Sequence, residues 1–133
     1  MSLAAGTAWL FCPADRPERY HKAAATADVV ILDLEDGVAA KDRPAARQAL
    51  VDTPLDPDRT VVRVNPSGTS DHDLDLAAVA NTRYTTVMLA KSETAEQVAA
   101  LAPLNVFVLI ETPLVRALLV RALLVRAMNG ELS

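Results

Sequence analysis

Val29-Val30-Ile31-Leu32-Asp33-Leu34-Glu35-Asp36-Gly37-Val38 runs an unbroken apolar stretch straight into three carboxylates and a glycine. A β-branched run without polar alternation is the pattern of a strand buried on both faces, as parallel-sheet strands are. Four more runs of this kind occupy residues 8–12, 60–64, 85–89 and 106–110. Helical signals fill the gaps. Residues 16–27 carry Pro17 in the first turn, where proline is tolerated. Residues 41–51 hold Pro44 near their start and Ala45, Ala46, Ala49 and Leu50 as an apolar stripe. Residues 70–80 open on Ser70 and aspartates, with Leu74, Leu76, Ala77 and Val79 behind them. Residues 92–101 begin at Ser92, and a fifth helix is expected to begin near Pro113.

Strict strand-helix alternation, five times over, predicts an α/β fold with a parallel sheet and right-handed crossovers. By length alone, five strands suit an open doubly wound sheet as well as part of an eight-stranded (β/α)8 TIM barrel. The turn after the first strand reads Pro13-Ala14-Asp15-Arg16, with no glycine-rich phosphate cradle, which weakens the nucleotide-binding open sheet.

Composition excludes several functions. Half the 133 residues are hydrophobic (51%), 23% are charged, and the net charge is −4 with both signs mixed, so one globular core is expected and no nucleic-acid surface. Aromatics make up only 4%, which leaves the core to Ala, Val, Leu and Ile. Cys12 is the sole cysteine, so an internal disulfide is impossible. Lying in an apolar run, it reads as a small buried hydrophobe of a reducing, cytoplasmic protein. The N-terminus lacks a signal-peptide pattern, and the apolar segment 113–128 is too short and too arginine-rich for a membrane span.

Charge gathers after each apolar run. Asp15 and Arg16 follow the first, and Asp33, Glu35 and Asp36 the second. Arg63 and Asn65 close the third, Lys91 follows the fourth and Glu111 the fifth. In a parallel sheet these ends share one face, where α/β active sites are built. Three clustered carboxylates and an arginine inside an apolar strand are costly unless paired or metal-bound. Glu111 is a hard oxygen donor suited to Mg2+, and Glu35 and Asp36 can hold that ion's waters. Arg63 offers a planar fork for a substrate carboxylate. Such a set suits a 2-oxo acid and C–C bond cleavage or formation of the aldol or Claisen kind.

On these residues the sequence resembles the citrate lyase beta subunit-like proteins of the HpcH/HpaI aldolase superfamily. The likeness starts at Trp9-Leu10-Phe11-Cys12-Pro13-Ala14-Asp15-Arg16 and is most specific over residues 29–38. It continues through Pro44-Ala45-Ala46-Arg47, Val61-Val62-Arg63-Val64-Asn65, Thr86-Val87-Met88-Leu89 with Lys91, and Ile110-Glu111-Thr112. The resemblance implies a TIM-barrel, Mg2+-dependent lyase acting on hydroxyacyl-CoA thioesters or related oxo-acid adducts, commonly as a homotrimer. It implies Glu111 as a metal ligand, Glu35 and Asp36 as holders of the metal's waters, Arg63 as the substrate-carboxylate ligand, and Arg16 as a further substrate contact. Ala90 stands where the family has proline.

After Thr112 the family pattern continues for three more strand-helix units and a second metal-binding aspartate. Here Leu-Val-Arg-Ala repeats every five residues through 113–128. The reading therefore divides the chain into a barrel part, 1–112, and a divergent tail, 113–133, that favours helix by composition. A period of five points Arg116, Arg121 and Arg126 in three directions, so that helix has no clean polar face. The expectation is an incomplete barrel with weakened metal affinity. The competing expectation is a non-catalytic half-barrel used for oligomerisation or partner binding.

Overall fold

The computed structural model describes residues 8–89, 95–108 and 124–126. Its strands are β1 (Trp9–Pro13), β2 (Val29–Asp33), β3 (Thr60–Val64), β4 (Thr86–Leu89), β5 (Asn105–Val108) and a short β6 (Leu124–Arg126). The helices are α1 (Tyr20–Thr26), α2 (Arg43–Asp52), α3 (Ser70–Ala80) and α4 (Ala95–Ala99). Strand order across the sheet is the order of the chain, and β1 to β5 are all parallel. A doubly wound sheet reverses direction at a switch point. An unbroken sequential order is instead the wall of a barrel, so the five units form part of a TIM-barrel-type fold.

The packing agrees with that order. Alternate residues of a strand point to opposite faces, and two separate apolar clusters result. On one face Val30, Leu32, Val62, Val87 and Leu89 pack with Tyr20, Ala46, Leu50 and Val79 from the helices. On the other, Trp9, Val29, Ile31, Val61, Met88 and Phe107 form a cluster drawn only from strands among the described residues. Trp9 meets Phe107 edge-on, ring centroids 5.2 Å apart. Helices on one face and strand side chains alone on the other are the outside and inside of a barrel wall. Both sets are apolar, which is why the strands read as continuous runs.

Several details depart from the sequence expectation, three of which bear on the fold. Residues 16–19 do not begin α1: a 3-10 turn, Pro17–Arg19, precedes it, and the Tyr20 hydroxyl donates to the Ala14 carbonyl at 2.6 Å. In α3 the cap is Thr69, whose hydroxyl accepts from the His72 amide at 3.1 Å. Leu74 and Ala77, among the apolar residues that marked this helix, are exposed, and Asp75 is fully buried because it has partners there. The third departure is in the repeat. Leu124–Arg126 is not helical but pairs antiparallel with β5, Phe107 opposite Leu124. Pairing satisfies backbone groups along the β5 edge that a helix would leave open. The remainder of the repeat lies outside the described residues.

Candidate functional site

The parallel register places Asp33, the last residue of β2, beside Arg63 near the end of β3. Both lie on the strand-only face, at the carboxyl end of the sheet. Arg63 Nε donates to Asp33 Oδ1 at 2.9 Å and Nη2 to Oδ2 at 2.5 Å, a two-point carboxylate-guanidinium pair. The same carboxylate accepts the Glu35 amide at Oδ1 and the Gly37 amide at Oδ2, both at 2.8 Å. A single buried side chain thus ties the arginine of one strand to the loop that follows its neighbour. Gly37 is required by this closeness: a Cβ there would lie 2.6 Å from Asp33 Oδ2.

Around the pair stand the other carboxylates that follow β2. Glu35, 3% exposed, brings Oε1 to 3.8 Å from Arg63 Nη1. Asp36 is exposed on the same loop. The Phe11 ring, on β1, lies under the guanidinium with its centroid 4.8 Å from Cζ. Burial works against the charge on Arg63, but the hydrogen bonds to Asp33 and the fields of Asp33, Glu35 and Asp36 outweigh it and hold its pKa above the ordinary arginine value.

A second polar network supports the loop from the helix side. Asp75 Oδ2 accepts the Asn65 backbone amide and Nδ2, both at 2.8 Å, and its Oδ1 accepts Arg47 Nε at 2.8 Å. Asn65 Nδ2 also donates to the Leu34 carbonyl at 2.9 Å. The His72 ring donates from Nδ1 to the Asn65 carbonyl at 2.7 Å, since that carbonyl can only accept. Asp71 joins Arg47 and Arg43, and Arg43 Nη2 reaches the Glu35 carbonyl at 3.4 Å. Helices α2 and α3 thereby fix the backbone of the carboxylate loop at Leu34 and Glu35.

Of the residues singled out from sequence, Arg63, Glu35 and Asp36 come together. Arg16 is exposed on the β1–α1 loop. Glu111 and Lys91 lie outside the described residues. The fork expected of Arg63 is in part committed within the protein, since Asp33 holds its Nε–Nη2 edge, and three N–H groups remain for a substrate carboxylate. Sequence reading noted Asp33 without giving it a role. The sequence offers part of the signal, an acid closing one apolar run and an arginine near the end of the next, but their pairing depends on the register of β2 and β3. Among the described residues no three His, Cys, Asp or Glu side chains are grouped to hold a metal ion. Cys12 is buried and burial pushes its thiol pKa up, which makes it an inert core residue.

Comparison with known proteins gives this geometry relatives. Residues 7–108 match the family model described as HpcH/HpaI aldolase/citrate lyase. A citrate lyase subunit beta-like protein of Mycobacterium tuberculosis is 69% identical over 109 residues, which are 82% of this chain and 40% of that protein. The M. tuberculosis protein CitE in complex with magnesium, acetoacetate and coenzyme A superposes with a TM-score of 0.80 at 69% identity, covering 82% of this chain and 41% of its own. CitE in complex with magnesium and pyruvate also gives 0.80, at 64% identity, covering 90% and 51%. The chain thus spans about 40% of the length of the curated relatives it matches. With a family model matched over most of its length, this chain belongs to the HpcH/HpaI aldolase/citrate lyase family.

Proposed function

We propose that this chain carries the carboxylate-binding half of a Mg2+-dependent carbon-carbon lyase site. Its substrate would be a 2-oxo acid, or a hydroxyacyl-CoA thioester that breaks down to related fragments. The observation that carries the reading is Arg63, buried at the carboxyl end of β3 with Glu35 and Asp36 beside it. Support comes from relatives of high identity whose structures hold magnesium with acetoacetate and coenzyme A, or with pyruvate.

Arg63 has five N–H groups, of which Asp33 accepts two. The Nη1 end, on the Glu35 side, is the part that would grip a substrate carboxylate. Glu35 and Asp36 are hard oxygen donors of the kind that holds the waters of Mg2+, an ion that uses only one or two protein carboxylates. Their chemistry fits the metal, and Glu111 would be its direct ligand. When bound, Mg2+ supplies Lewis-acid polarisation of the 2-oxo carbonyl. Arg63 fixes the carboxylate so that the breaking C–C bond keeps one orientation, and its charge offsets the negative charge that develops on the oxo-acid fragment.

The test is proton exchange at the methyl group of pyruvate, followed by proton NMR in heavy water. The chain with Mg2+ is expected to accelerate loss of the methyl signal, and chelation should stop it. Arg63→Ala should lower the rate roughly 100-fold, the usual effect of losing one stabilising donor. Exchange at the uncatalysed rate, or a rate indifferent to Arg63, would refute the proposal.

A further inference from the structure

We propose that Asp33 is the positioning residue of this site: its carboxylate sets the in-plane orientation of the Arg63 guanidinium and, with the same two oxygens, the height of the Glu35–Gly37 loop. The inference rests on the reading of Arg63 as the substrate-carboxylate ligand. Four donors converge on Asp33: Arg63 Nε and Nη2, and the amides of Glu35 and Gly37. Two contacts to one edge of a planar group remove its rotation in the plane. The Phe11 ring, 4.8 Å from Cζ, limits movement out of the plane. With the Nε–Nη2 edge taken, the three N–H groups that Asp33 does not accept, two on Nη1 and one on Nη2, are left to present to an anion, with Nη1 3.8 Å from Glu35 Oε1. The two oxygens of Asp33 are taken up by these four donors of the protein. Asp33 acts through Arg63 and the loop, as outer partners act on ligand groups. Asp75 and Arg47 brace Asn65 and Leu34, one layer further out, so the two networks meet at the backbone of a single loop.

Two measurements decide this. The first needs no variant: the Arg63 Nε–H signal in 15N-labelled protein should exchange with water far more slowly than that of an exposed arginine such as Arg16. In Asp33→Asn the protection should be lost while the backbone amide spectrum is otherwise retained. The second is calorimetric titration of pyruvate in saturating Mg2+, where Asp33→Asn should weaken binding about 10-fold or more. If Asp33→Asn does not fold, Asp33→Glu replaces it, since the longer acid keeps the charge but not the four-donor geometry, and the same weakening is expected. An unprotected Nε–H in the wild-type chain overturns the proposal. So does pyruvate affinity equal to wild type in a folded Asp33 variant, a result that leaves the reading of Arg63 intact. If the wild-type chain binds no pyruvate while Nε–H is protected, the functional reading fails, and the positioning role fails with it.

Discussion

At the scale of single residues, the site depends on how little room surrounds Asp33. An oxygen that accepts from an arginine and an amide at once cannot swing aside. Alanine at position 37 would set its Cβ 2.6 Å from that oxygen. Gly37→Ala should therefore lower stability by about 1–3 kcal/mol in urea unfolding. A change within a few tenths would mean that the loop is not fixed as described. The carboxylates were legible from sequence because three acids after an apolar run are costly unless something holds them. The Asp33–Arg63 partnership was not, since it depends on register. A slip of one residue between β2 and β3 would put the two on opposite faces.

At the scale of elements, β3 and α3 have the limits expected from sequence, Thr60–Val64 and Ser70–Ala80. What sequence did not give was the inner side of α3. Asp75 is fully buried while Leu74 is 52% exposed, the reverse of a hydrophobic-stripe reading. A buried acid there makes sense only once Arg47 and Asn65 arrive from two other elements. The outer end of this network is titratable. Its hydrogen bond to Arg47, followed by that to Arg43, lowers the Asp71 pKa below the ordinary 3.8 despite some opposing burial. A depressed carboxylate contributes stability that is present above the unfolded value and lost as pH falls through the folded one. Asp71 is about a third exposed, so the contribution is below about 1 kcal/mol. Asp71→Asn should therefore be slightly less stable than wild type at neutral pH, and the gap should close as pH drops below 3.8 in acid-unfolding curves. A gap that persists unchanged at lower pH would remove the ion pair from the account of how α2 and α3 join.

For the whole molecule, strand-helix alternation left two architectures open, because it says how units repeat and not where each strand lies. Sequential strand order decides for the barrel wall, and the one-sided placement of helices agrees with it. At Leu124–Arg126 a strand stands where composition favours helix, for a related reason. Leucine, valine and arginine accept either helix or strand, and a neighbouring sheet edge determines the outcome. On the proposed function, this part of a barrel holds a working anion site at its carboxyl face. Thermal unfolding of the 133-residue chain, with and without Mg2+ and pyruvate, tests it most directly. The expected result is one cooperative transition, raised roughly 3–6 °C at ten times the dissociation constant of pyruvate in the presence of Mg2+, and no rise in Arg63→Ala. A transition that ignores both ligands, or rises equally in Arg63→Ala, would contradict it.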